Sequence, residues 1–96
     1  MKREREQPID NLFQTFLRES GLETPFYEHR LIAGWSGIVG EVVAKATENI
    51  YIRNQTLYVQ IRSAVIRNEI LMKRTELVKT LNEYAGSNVI NSISIS

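Results

Sequence analysis

The chain has no cysteine, one histidine, one tryptophan and two prolines among its 96 residues. Without cysteine there are no disulfides, no thiolate metal sites and no cysteine nucleophile, so the core must hold by packing alone. The lone histidine, His29, stands between Glu28 and Arg30 and reads as a solvated helix position. With no thiol and no second imidazole beside it, a transition-metal site is not expected. Carboxylates are scattered singly, with nothing that suggests two acids held across a cleft, so general acid–base chemistry lacks its residues. The expectation is a protein that is not an enzyme and takes no cofactor.

Charge of one sign is also lacking. Twelve Lys and Arg stand against eleven Asp and Glu, a net charge of +1, so no global field announces a nucleic-acid binder. No apolar run approaches the roughly 18 residues of a membrane-spanning helix. Residues 1–7 are mostly charged and lead into no apolar signal region, which points to a cytoplasmic location. With 43% hydrophobic and 24% charged residues the composition is that of an ordinary globular protein. A chain of this length cannot divide into two adequate cores, so one domain over residues 8–96 is expected behind a flexible N-terminus of residues 1–7.

What is present is periodicity. Pro8 suits a first helical turn, and Ile9, Leu12, Phe13, Phe16 and Leu17 recur at helical spacing until Gly21, predicting a first helix over about 8–20 with that stripe buried. Thr24 before Pro25 repeats the start signal. Leu31, Ile32, Trp35, Ile38, Val39, Val42 and Val43 continue an apolar stripe to about Ala44, through Gly34, Gly37 and Gly40. Each glycine costs roughly 1 kcal/mol in a helix interior, so close packing or a kink is expected there. Trp35, the one tryptophan, is the expected hub of the core.

Residues 47–53 and 56–62 are rich in β-branched and aromatic residues, and Asn54-Gln55 separates them. A two-residue turn sets Arg53 opposite Thr56, Ile52 opposite Leu57, Tyr51 opposite Tyr58 and Ile50 opposite Val59, with matching parity on both faces. Gln is not the preferred Gly at the second turn position, which leaves a longer loop open. Ser63 caps a third helix running to about Ala85, stopped by Gly86, with a Glu69 to Lys73 pair on an exposed flank. Residues 88–95 alternate and read as a third strand. The fold class is therefore α+β in the order α-α-β-β-α-β, a three-stranded sheet with helices packed on one face.

Three features bear on binding. Gly34-Trp35-Ser36-Gly37 and Gly37-Ile38-Val39-Gly40 match the G-x-x-G pattern that clamps nucleic-acid backbone in KH domains, although apolar central residues also suit helix packing. The outward hairpin face carries Tyr51, Arg53, Tyr58, Gln60 and Arg62, the materials of a single-strand stacking platform or of a plain solvated face with a cross-strand tyrosine pair. Arg67, Lys73 and Arg74, with Lys79, either extend a basic surface that touches phosphates or are merely solvated. Between Arg53 and Lys79 the basic residues outnumber the acids by four, while Glu19, Glu23, Glu28, Glu41 and Glu48 come earlier.

Trp35-x-x-Ile38-Val39-Gly40, Thr56-Leu57-x-Val59, Glu69-Ile70, Leu81-Asn82 and Gly86-x-x-Val89 together form a pattern that resembles the DciA-like family from about Leu12 to Ile95. The resemblance implies a KH-like α+β domain, similar also to the N-terminal domain of the bacterial replication initiator. It further implies a non-catalytic protein that binds DNA and loads or operates the replicative helicase; joined to the Tyr and Arg hairpin face, it gives the expectation of a module that binds DNA or RNA, single strands included, and recruits a partner such as that helicase. A purely protein–protein interaction domain is the alternative. Val65 or Ile66 stands where many relatives carry tryptophan, and the sequence stops at Ser96 without the basic tail of better-known members. That aromatic's partner contact and autonomous helicase loading are therefore not carried over as expectations.

Overall fold

A computed structural model describes residues 10–96. The expected flexible segment 1–7 and the helix start at Pro8 and Ile9 lie outside the described residues. Helix α1 (Asn11–Ser20) opens on Asp10, whose side chain accepts a hydrogen bond from the Phe13 N–H at 2.8 Å, and closes on Gly21 in the left-handed region. Its apolar stripe is not buried as expected. Leu17 is buried, but Leu12 is 81% and Phe16 54% exposed, because α1 packs chiefly on one neighbour, α2 (Glu23–Ala33). Phe13 meets Phe26 of that helix edge-on at 5.4 Å.

The long second helix predicted to Ala44 is three helices. α2 starts one residue before Thr24, on Leu22 and without a side-chain cap, so Pro25 falls inside the first turn, where its missing N–H is still harmless. Gly34 joins α2 to α3 (Trp35–Val39), and Gly40, at φ 94° and ψ 167°, breaks the helix outright before α4 (Glu41–Ala46). Only glycine adopts that conformation cheaply. Trp35 is buried as the hub, and its Nε1–H donates to the Thr47 hydroxyl at 3.1 Å, which in turn donates to the Val43 carbonyl at 2.8 Å.

Strands β1 (Thr47–Arg53) and β2 (Thr56–Ile61) pair antiparallel in the expected register, with an irregularity between Thr47 and Asn49. The two-residue turn holds: Asn54 at φ 51° and Gln55 at φ 61° are both left-handed, as a type I′ turn requires. The third helix is split as well. α5 (Ala64–Met72), capped by Ser63, stops at Lys73, whose φ of −111° and ψ of 15° leave the helix before α6 (Arg74–Ala85) begins. The break puts Lys73 off the helical path, and the expected pair with Glu69 does not form.

The last strand, β3 (Ser92–Ile95), is shorter than the predicted 88–95. Asn82 accounts for the difference: its Oδ1 accepts from the N–H groups of Val89 and Ile90 at 3.0 and 3.1 Å, and its Nδ2 donates to the Ile90 carbonyl at 2.8 Å. Those backbone groups are satisfied before the sheet is reached. β3 runs parallel to β2, giving the order β1-β2-β3, and Leu57, Val59, Ile61 and Ile93 point into the core with Leu31, Trp35, Ile70, Leu81, Ala85 and Ile90.

Candidate nucleic-acid interface

Because strand residues alternate between faces, burying Leu57, Val59 and Ile61 turns Thr56, Tyr58 and Gln60 to the opposite side. The register carries their neighbours with them, so the outer face is a set of cross-strand rows. Arg53, Thr56 and Ser92 make one row, Tyr51, Tyr58 and Ser94 the next, and Asn49 with Gln60 a third. Ser96 extends that third row, since its N–H bonds to the Val59 carbonyl and its carbonyl accepts from Ile61. The Tyr51 and Tyr58 rings stack at 5.0 Å between centroids and 16° between planes. The Thr56 and Ser92 hydroxyls share a 3.1 Å hydrogen bond beside them.

The basic residues divide by what they touch. Arg53 is exposed and, among the described residues, makes no ion pair or hydrogen bond through its guanidinium. Arg62 faces Glu48 at 3.7 Å and donates to the Lys45 carbonyl, so its charge is partly matched. Arg67 donates to the Ile61 carbonyl at 2.7 Å and ties the end of β2 to α5. Lys73 and Arg74 stand at the α5–α6 break, and Arg74 lines a shallow depression of about 220 Å³ with Thr75, Val78, Asn91, Ser92 and Ile93, beyond the β3 edge.

The structure therefore brings Tyr51, Arg53, Tyr58 and Gln60 onto one face, places Arg62 at its end and Arg74 at its margin, and gives Arg67 a structural bond. The glycine-rich stretch sits apart from this face. A β-carbon on Gly34 would meet the Tyr84 ring, and Trp35 is buried, so the first G-x-x-G motif builds the core. Sequence reasoning missed Thr56, Ser92 and Ser94 on the outer face. The alternation of residues 92–95 turns the serines outward and the isoleucines to the core, but only the parallel register with β2 sets Ser92 beside Thr56 and Ser94 beside Tyr58.

Among the described residues no helix is long and apolar enough to cross a membrane. Comparison with curated proteins and with solved structures finds no match. Comparison with protein families matches residues 8–95 to the family described as "Dna[CI] antecedent, DciA". That match spans nearly the whole chain, which belongs to the DciA family, a family related to DNA replication and helicase loading and not a known enzyme family.

Proposed function

We propose that this chain is a non-catalytic module of DNA replication that binds single-stranded DNA or RNA on its open sheet face and recruits a partner such as the replicative helicase. The observation that carries the nucleic-acid half is the stack of exposed Tyr51 on half-buried Tyr58, with Arg53, unpaired among the described residues, one row away. Each base stacked on an aromatic ring contributes roughly 1–3 kcal/mol, and contacts from Arg53, Lys73 and Arg74 to phosphates add a salt-dependent term. Arg62 and Arg67 join the basic margin, with part of their hydrogen-bonding capacity already used.

Fluorescence polarisation with labelled single strands at low and moderate salt tests this reading. Binding that weakens with salt and with Tyr58→Ala is expected. No binding at any salt removes the nucleic-acid half. A protein-only interaction domain is the second reading, favoured by Leu12 and Phe16 on α1 and Val65 and Met72 on α5, all largely exposed. Capture of purified helicase by a chain that binds no oligonucleotide favours it.

A further inference from the structure

Among the described residues no ring stacks on the β3 side of the Tyr51–Tyr58 pair, and the row on that side is polar. β2 lies between β1 and β3, so the Tyr58 ring face turned away from Tyr51 looks over β3. Its neighbour there is Ser94, whose small side chain cannot cover a ring. The next outward residue along β3 is also serine, Ser92, which is bonded to Thr56. Tyr58 thus stands at the wall of a slot whose floor is hydroxyls.

We infer that this slot seats one unpaired nucleobase, stacked on the β3-facing side of Tyr58 above Ser94. The inference rests on the nucleic-acid reading above and gives it a place and a substrate class. Three observations converge on that occupant. First, strands repeat at about 4.8 Å, and the tyrosine centroids are 5.0 Å apart, so a third ring over the Ser94 row continues the same ladder. Second, an aliphatic side chain in the slot would strip water from the Ser94, Ser92 and Thr56 hydroxyls without bonding them. A base offers both a flat face for the ring and a polar edge for the hydroxyls. Third, Arg53 lies one row along and Arg74 shares its depression with Ser92, and neither guanidinium has a partner among the described residues. A nucleotide placed over Ser94 has a cation toward the turn and another beyond the strand edge. Duplex bases, stacked and paired with one another, cannot enter.

The test compares a short oligothymidylate with a strand of the same length carrying abasic sites, using full-length protein and the variants Ser94→Leu, Ser94→Ala and Tyr58→Leu. Ser94→Leu fills the slot and Tyr58→Leu removes its wall; each is expected to weaken oligothymidylate binding about tenfold and to leave abasic-strand binding unchanged. Ser94→Ala keeps the slot open but removes one hydroxyl of its floor, and is expected to weaken oligothymidylate binding less than Ser94→Leu does. A parent protein that binds oligothymidylate no better than the abasic strand, or leucine variants that bind oligothymidylate as tightly as the parent, would overturn the base seat while leaving electrostatic nucleic-acid binding intact. A parent protein that binds neither strand overturns both readings. Circular dichroism reports whether the leucine variants fold. If they do not, photocrosslinking of the parent to a 5-iodouracil strand decides: a crosslink on Tyr58 supports the seat, and crosslinks confined to other elements refute it.

Discussion

The ring of Tyr84 on α6 lies so close to Gly34 that a β-carbon there would come within 2.5 Å of two of its carbons. The α2–α3 junction therefore approaches α6 more closely than any side chain allows. Gly34→Ala forces the ring or a helix to shift, and overpacking of this kind costs about 1–3 kcal/mol. For a domain of this size that lowers Tm by roughly 4–8 °C per kcal/mol. Thermal unfolding of Gly34→Ala beside Gly37→Ala separates packing from the alanine-for-glycine change itself, since a β-carbon on Gly37 meets nothing within 4 Å. Equal behaviour of the two variants would remove the packing account.

Thr47 is the first residue of β1 and the acceptor for the only indole N–H. Thr47→Val keeps the shape but leaves the Trp35 N–H and the Val43 carbonyl without their partner, at a cost of about 1–3 kcal/mol. Thr47→Ser keeps the hydroxyl and is expected to lose much less. Chemical denaturation of both variants checks this, and a valine variant as stable as the serine one would mean that the bond contributes nothing.

The same two neighbourhoods show what could be read from the sequence. From Arg53–Thr56 to Ile50–Val59 the hairpin was legible to the residue, because parity on two facing strands admits few registers and the turn between them is short, whereas the irregularity between Thr47 and Asn49 was not. Helix continuity was not. The stripe from Leu31 to Val43 runs through Gly40 without interruption in its period, and periodicity is silent about the one φ of 94° that breaks it. Lys73, whose φ of −111° and ψ of 15° end α5, carries no glycine or proline signal at all. On the outer face the tyrosines and Arg53 were legible by alternation, and so was the outward parity of the β3 serines, whereas their places beside Thr56 and Tyr58 depended on a crossover register that no local pattern encodes. Arg62 and Arg67 looked equivalent to Arg53 in the sequence and differ only through Glu48, Lys45 and Ile61, which the fold brings to them.

Gln55 occupies a left-handed turn position at φ 61°. The hydrogen bond from the Asn91 N–H to its carbonyl at 2.8 Å is a backbone contact and survives substitution. The side-chain contact to Asn91, at 3.4 Å and exposed, is weak. Gln55→Gly relieves the β-carbon strain and is expected to raise stability by about 0.5–1 kcal/mol, the gain offset in part by the freedom glycine adds to the unfolded chain. Urea denaturation measures it. A loss of stability would mean that the Asn91 contact or the unfolded-state term is the larger.

The last prediction separates arginines that the sequence could not. Arg53 has no partner among the described residues, so Arg53→Gln should leave stability within about 0.5 kcal/mol of the parent while weakening single-strand binding and reducing the salt slope by about one ion. Arg67 holds the Ile61 carbonyl at 2.7 Å in a part-buried site, so Arg67→Gln should cost about 1–3 kcal/mol of stability with a smaller effect on binding. Measuring both quantities for both variants makes a crossed comparison. If Arg67→Gln changes the salt slope as much as Arg53→Gln does, Arg67 touches phosphate in spite of its bond to Ile61, and the binding surface extends around the end of β2 onto α5. If neither changes it, phosphates pass by another route, and the Lys73–Arg74 corner is the next pair of cations to remove.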